Sequence, residues 1–119
     1  MSKREWKLFV EDILESIGLI ENYVKGMDFD EFKKDRKTID AVVRNFEIIG
    51  EASRNIPEEV RNKYPNIDWK GMIGLRNRIA HEYFGVNLTI IWNILKNDLP
   101  LPKEKIKKYY NYRTTNRTQ

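Results

Sequence analysis

The chain has 119 residues, enough for one domain with one core, since domains most often run to about 100–150 residues. Of these, 40% are hydrophobic and 34% charged, with no cysteine. That excludes a disulfide framework and a thiolate metal site and leaves a soluble globule, in an expected cytoplasmic location, whose amphipathic helices keep apolar surface for a partner. The formal net charge is +4, and the basic excess gathers at the C-terminal end, a distribution that matters for polyanion binding.

Met1 to Trp6 run into an amphipathic pattern with no uncharged apolar leader, and no stretch approaches the ~20 apolar residues of a membrane span. From Arg4 to Lys25, Trp6, Phe9, Val10, Ile13, Leu14, Ile17, Ile20 and Val24 recur at helical spacing. Gly18 is a local weakness inside this first helix, and Gly26 is its expected C-cap. Asp28 or Asp30 caps a second helix, whose stripe runs Phe32, Ile39, Val42, Val43, Phe46, Ile49, Ser53 and Ile56. Pro57 suits the first turn of a short helix that stops near Tyr64-Pro65.

Residues 65–68 form a turn, with Asp68 as N-cap of a helix from Trp69 to about Phe84. Its expected buried positions are Trp69, Met72, Ile73, Ile79, Ala80 and Tyr83, and Gly85 closes it. Gly71 and Gly74 each cost about 1 kcal/mol relative to alanine there, which points to close approach of another backbone or a ligand. A further helix begins near Asn87 or Leu88 with Ile90, Ile91, Ile94 and Leu95 inward. Leu99-Pro100-Leu101-Pro102 interrupts it before a basic helix from Lys103 to about Tyr112.

No stretch alternates with period two for long enough to make a strand, so the fold class is all-α. Short connections predict an antiparallel up-down bundle of four to five main helices, with residues 1–105 as the helical domain and 106–119 as a basic helix end and tail. Residues 103–119 hold Lys103, Lys105, Lys107, Lys108, Arg113 and Arg117 against Glu104, leaving residues 1–102 slightly acidic. Such a segment either attracts RNA through counterion release or is a solvated helix end. Tyr109, Tyr110 and Tyr112 within it either stack on bases or pack the last helix.

The segment Gly74-Leu75-Arg76-Asn77-Arg78-Ile79-Ala80-His81-Glu82-Tyr83 concentrates chemistry on one helix, and it contains the chain's one histidine. At ~100° per residue, Arg76 and Tyr83 project about 20° apart and Asn77 and His81 about 40° apart, on two adjoining faces. Arg78 and Glu82 take the remaining side, where an i,i+4 ion pair is the simple reading. Phosphodiester cleavage needs a base for the 2′-OH, an acid for the leaving oxygen and cationic donors for the charge on phosphorus. An imidazole with pKa near 6.5 serves as either acid or base, and guanidinium grips phosphate oxygens without a metal. With one histidine per chain, a two-histidine mechanism requires a symmetric dimer. Asn77 either orients the imidazole or contacts phosphate, and Glu51 either pairs with Arg76 and orients it or is an ordinary exposed acid. On spacing alone a lone helical histidine such as His81 is more often hydrogen-bonded structure than catalyst, and Arg76 and Tyr83 fit interface roles as well.

Arg76-x-x-x-x-His81-x-Tyr83 matches the R-x4-H-x-Y signature of the HepT-like branch of the HEPN superfamily. The stretch from Ile39 to Ala52 resembles that branch's second helix. Pro65-x-x-Asp68-Trp69-x-x-Met72-x-x-Leu75-Arg76-Asn77 resembles the lead-in to its motif helix, and Asp98-Leu99-Pro100 also fits. The resemblance covers about residues 5–105. It implies a helical homodimer whose motif helices line a shared cleft, acting as a metal- and cofactor-independent RNase toxin beside a small nucleotidyltransferase antitoxin of the MntA type. By the same resemblance Arg76 and His81 are catalytic, Asn77 is accessory, and Tyr83 receives AMP from ATP. An AMP group there would place anionic phosphate beside Arg76 and block the cleft.

One other class fails on the residues and a second fits them poorly. A di-iron bundle needs Glu-x-x-His, but Arg78 stands three residues before His81. A helix-turn-helix DNA binder needs an internal basic recognition helix, whereas the basic segment here is terminal and follows a proline break. The alternative within the same family is a non-catalytic module that binds nucleotide or RNA or holds a nucleotidyltransferase. It retains Arg76 and Tyr83 without depending on His81.

Overall fold

Apolar residues at three- and four-residue spacing bury one side of a first helix, α1 (Trp6–Tyr23), through Val10, Ile13, Ile17 and Ile20. The computed structural model describes residues 5–75, 77–79, 88–98 and 103–108. Ile13 and Ile17 are wholly excluded from solvent, and burying such a side chain is worth about 1.5–3 kcal/mol. Glu11 and Glu15 face outward. The helix ends at Tyr23 with Val24 as its C-cap, two residues before the expected Gly26; Gly26 closes the following turn at φ +77°, a left-handed conformation that glycine adopts without a Cβ penalty.

The expected long second helix is two helices. α2 (Phe29–Lys34) starts at Asp28 through a capping box, in which Glu31 N–H donates to Asp28 Oδ1 at 2.8 Å and Asp28 N–H donates to Glu31 Oε1 at 3.0 Å. α3 (Arg36–Asn55) begins afresh at Asp35, whose carboxylate accepts from Thr38 N–H at 3.1 Å and Thr38 Oγ1 at 2.8 Å. This second cap competes with helix continuation, and Asp35 takes a non-helical φ of −105° and ψ of 86°. The connection through α2 returns the chain along α1, and α1 and α3 form the principal packed pair.

Along α3, Ile39, Val42, Phe46 and Ile49 are buried at helical spacing. The buried polar side chains between them bond within the helix. Asn45 Nδ2 donates to Ala41 O at 2.9 Å and Ser53 Oγ to Ile49 O at 2.7 Å, so neither leaves an orphaned group. Pro57 precedes α4 (Glu58–Lys63), as its fixed φ favours. Tyr64 O then accepts from Trp69 Nε1 at 3.1 Å, pinning the turn to α5 (Trp69–Ile73).

Asp68 caps α5 as expected, accepting from Gly71 N–H at 3.0 Å. What approaches Gly71 is therefore the carboxylate of Asp68, and the nearest atom to a Cβ on Gly74 is Lys70 O at 3.3 Å. The crowding read from these two glycines comes from the helix's own cap and carbonyls. Backbone at 75 and 77–79 is again helical, and Arg78 N–H donates to Gly74 O at 3.0 Å. Trp69, Met72 and Ile79 are buried as expected, with Leu75 beside them, while Ile73 is half-buried. Ala80, Tyr83 and Gly85 lie outside the described residues.

α6 (Leu88–Asn93) buries Ile91 and widens into a π-helical turn over Ile94–Asp98, with Ile94 and Leu95 inside. Trp92 ties α6 to α2, its ring lying 5.1 Å from that of Phe32 and 6.0 Å from that of Phe29. Helical backbone at 103–108 buries Ile106 at 2% exposure, so the basic segment is packed at least this far. Lys103 Nζ reaches Glu21 at 2.8 Å and Lys105 Nζ donates to Asn66 O at 2.6 Å, fastening the segment to α1 and to the turn before α5. The protein is an all-α bundle around one apolar core, and the described residues contain no strand. No helix among them is long and apolar enough to cross a membrane.

Candidate active site

Five of the ten motif-segment residues are described, and they sort by side. Leu75 and Ile79, four apart, are 4% and 1% exposed and hold the segment against the core. Asn77, between them, is exposed, because a helix that buries positions i and i+4 turns position i+2 away from them. The anchoring is apolar and the outward side is polar. Arg76, His81 and Tyr83, expected as catalytic and modified residues, lie outside the described residues, as does Glu82.

Arg78 has a partner that local spacing did not indicate. Its Nη1 lies 3.5 Å from Asp98 Oδ2, on the π-helical turn, with both side chains about half exposed. At that length and exposure the pair adds little stability. It does bring the motif segment and the end of α6 together. The sequence signal for it was absent, since the two residues are 20 positions apart.

Glu51 is exposed on α3 and held by its own helix. Arg54 Nη2 lies 3.2 Å from its Oε2, and Asn55 Nδ2 lies 3.4 Å from its Oε1 and 2.8 Å from its backbone carbonyl. These i,i+3 and i,i+4 partners follow from helical spacing. The expected pairing of Glu51 with Arg76 lies outside the described residues. Glu51 also lines an open groove of about 430 Å³ with Phe9, Asp12, Arg44 and Glu47, of mixed charge. Among the described residues no group of three His, Cys, Asp or Glu side chains is placed to hold a metal ion.

Among the described residues, two groups titrate away from their usual range. Hydrogen bonds from the backbone N–H and hydroxyl of Thr38 hold the Asp35 carboxyl below its ordinary value. The hydrogen bond to Glu21 raises Lys103, against a smaller opposing effect of burial. Both act at element junctions.

A family model described as ribonuclease HepT-like matches residues 13–109, most of the chain and all of the motif segment. The chain belongs to the HepT-like ribonuclease family. Three relatives match it over most of their own length. It is 46% identical to a Methanocaldococcus jannaschii protein named "Putative RNase MJ0127" over 108 residues, which is 91% of this chain and 89% of that one. It is 43% identical to a Thermococcus cleftensis protein named "Probable ribonuclease HepT", over 89% of this chain and 96% of the relative. A Caldanaerobacter subterraneus protein named "Putative RNase TTE0752" is 40% identical over 84% of this chain and 89% of its own. No solved structure matches the chain.

Proposed function

We propose that this family member is a metal-independent endoribonuclease, the toxin of a pair with a small nucleotidyltransferase, which cuts RNA in a cleft closed by two copies of the chain. The observation that carries the reading is the family match across residues 13–109, which contains the complete Arg76-x-x-x-x-His81-x-Tyr83 signature. The names of the relatives point the same way. The outward-facing Asn77 on a segment anchored by Leu75 and Ile79 supports it, since a residue that serves a shared cleft must leave its own core free.

In this reading Arg76 binds the phosphodiester and stabilises the charge that grows on its oxygens. His81 moves the proton, as base toward the 2′-OH or as acid toward the leaving oxygen. Two copies supply two imidazoles to one cleft, as a symmetric pair allows. Asn77 contacts the phosphate or orients the ring, and Glu51, already steadied by Arg54 and Asn55, supports the cleft from α3. AMP attached to Tyr83 by the partner enzyme silences the toxin by adding a phosphate and bulk next to Arg76.

The test is RNA cleavage in EDTA by wild type, His81→Ala and Arg76→Ala, with circular dichroism to establish that each is folded. Cleavage is expected to fall by about 10²–10⁴-fold when the proton-transfer group is removed, and comparably without the phosphate-binding arginine. Equal cleavage by all three proteins would assign the activity to a contaminant and favour the non-catalytic binding module.

A further inference from the structure

The outward side of the motif segment continues back past Asn77 toward the start of α5. At ~100° per residue, Met72, Leu75 and Ile79 fall within about 60° of one another, and all three are buried. Lys70, Ile73 and Asn77 fall within about 60° on the opposite side. Of these, Lys70 and Asn77 are exposed and Ile73 is half-buried. The backbone carries this side onward, since Gly74 N–H donates to Lys70 O and Arg78 N–H to Gly74 O, both at 3.0 Å. Lys70 therefore stands about 10 Å behind Asn77 along the axis, on the same side. In the sequence His81 follows Asn77 by four residues, the spacing that keeps one helix face.

Periodicity predicts burial for Ile73, and its partial exposure has a cause beside it. An open groove of about 640 Å³ lies between α4 and α5, with Ile73 on its wall. Arg61, Asn62, Asn66 and Lys70 supply polar groups to the same groove. Arg61 is half-buried, and its Nε donates to Ile56 O at 3.1 Å. That bond steadies the guanidinium and leaves its remaining N–H donors for another acceptor. Among the described residues neither Arg61 nor Lys70 has an ion-pair partner. Two carboxylates also line the groove. Asp68 is committed to the Gly71 N–H, and Glu58, in the first turn of α4, is the opposing charge that remains.

We propose that this groove holds the single-stranded RNA substrate where it runs out of the cleft, with one phosphate on Lys70 and another on Arg61. This rests on the ribonuclease reading above. Cations and amides along an open groove suit a phosphodiester backbone, and the line from Lys70 to Asn77 joins the groove to the expected chemistry. Arg61 offers a planar fork to phosphate oxygens, and Lys70 a point charge on a flexible stem. Such contacts fix the position of the strand and carry no sequence information. The groove thus adds affinity and register without a base preference.

The test is binding of a labelled single-stranded RNA, methylated at every 2′-oxygen so that it is not cut, to the full chain over a series of salt concentrations. Wild type, Lys70→Gln, Arg61→Gln and Lys37→Gln are compared, with a thermal melt of each as the control for folding. Lys37 is exposed in the first turn of α3, whose far end leads into α4 about 30 Å away. Its substitution removes the same charge at a distance from the groove. Each phosphate contact with a single strand contributes about 0.7 to the slope of log K against log salt. Lys70→Gln and Arg61→Gln are each expected to lower the slope by about 0.7 and to weaken binding at low salt. Lys37→Gln should leave both at their wild-type values.

A slope unchanged in Lys70→Gln or in Arg61→Gln, a slope lowered equally by Lys37→Gln, or no binding by wild type overturns the groove. Should Arg61→Gln not fold, because Arg61 also ties to Ile56 O, Lys70→Gln alone decides. Cleavage of unmodified RNA by wild type is scored separately. RNA cut with the slopes unmoved removes the groove and leaves the nuclease reading standing. The expected slopes without cleavage support the groove and remove the nuclease.

Discussion

Gly71 and Gly18 are both helical glycines, yet the space around them gives them opposite roles. At Gly71 an added Cβ would run into the carboxylate of Asp68, which caps α5 from the same side. Gly71→Ala is therefore expected to push that carboxylate off the Gly71 N–H and destabilise the protein by about 0.5–2 kcal/mol, the usual cost of losing an N-cap. A thermal melt checks it. Gly18 stands exposed in the middle of α1, with no other atom within 4 Å of an added Cβ. There an alanine meets nothing and restricts the unfolded chain, so Gly18→Ala should stabilise by about 0.5–1 kcal/mol. A lowered urea midpoint would contradict that.

For the helices themselves, the junction at Asp35 shows how a local bond overrides periodicity. The apolar stripe skips from Phe32 to Ile39 across six polar residues, a gap of two turns that keeps one face, and within it the bonds from Thr38 make Asp35 an N-cap and divide one expected helix into α2 and α3. Those same bonds depress the Asp35 pKa, so the ionised form is favoured in the folded state. The stabilisation is complete above the unfolded carboxyl value of about 3.9 and is lost as pH falls through the lower folded value. Asp35→Asn should accordingly melt below wild type near neutral pH, and the gap should close as the solution is acidified below about pH 4. A gap independent of pH would show that the carboxylate charge is irrelevant to the cap.

Assembly of the whole bundle depends on segments far apart in the chain. Ile106 is 2% exposed, and the flanking lysines reach residues 82 and 39 positions away, Glu21 and Asn66. The basic 103–108 helix is thus part of the core, and its Lys105 lines a cleft beside the motif segment and the π-helical turn. Ile106→Ala is expected to cost about 2–5 kcal/mol, as for other buried isoleucines cut back to alanine, in a single denaturant transition. Unfolding of the last helix alone, with the main midpoint unchanged, would mean that it is a separable appendage.

Much of this protein is written in spacing of four residues or fewer. The stripes of α1 and α3, the cap at Asp68, the glycine turn at Gly26, the break at Pro57 and the Arg76-x-x-x-x-His81-x-Tyr83 signature are all local patterns, because helix hydrogen bonds and faces repeat over three to four residues. They were enough for the fold class and the family. Local bonding had to be seen in three dimensions to divide α2 from α3, since Asp35 competes with its own helix. Pairings between distant segments were left entirely to tertiary structure: Arg78 with Asp98, Lys103 with Glu21, Lys105 with Asn66, and the cleft that two of these contacts frame. Which polar groups meet across a core depends on how the helices pack, and the many sequences that share one apolar stripe do not specify those meetings one by one.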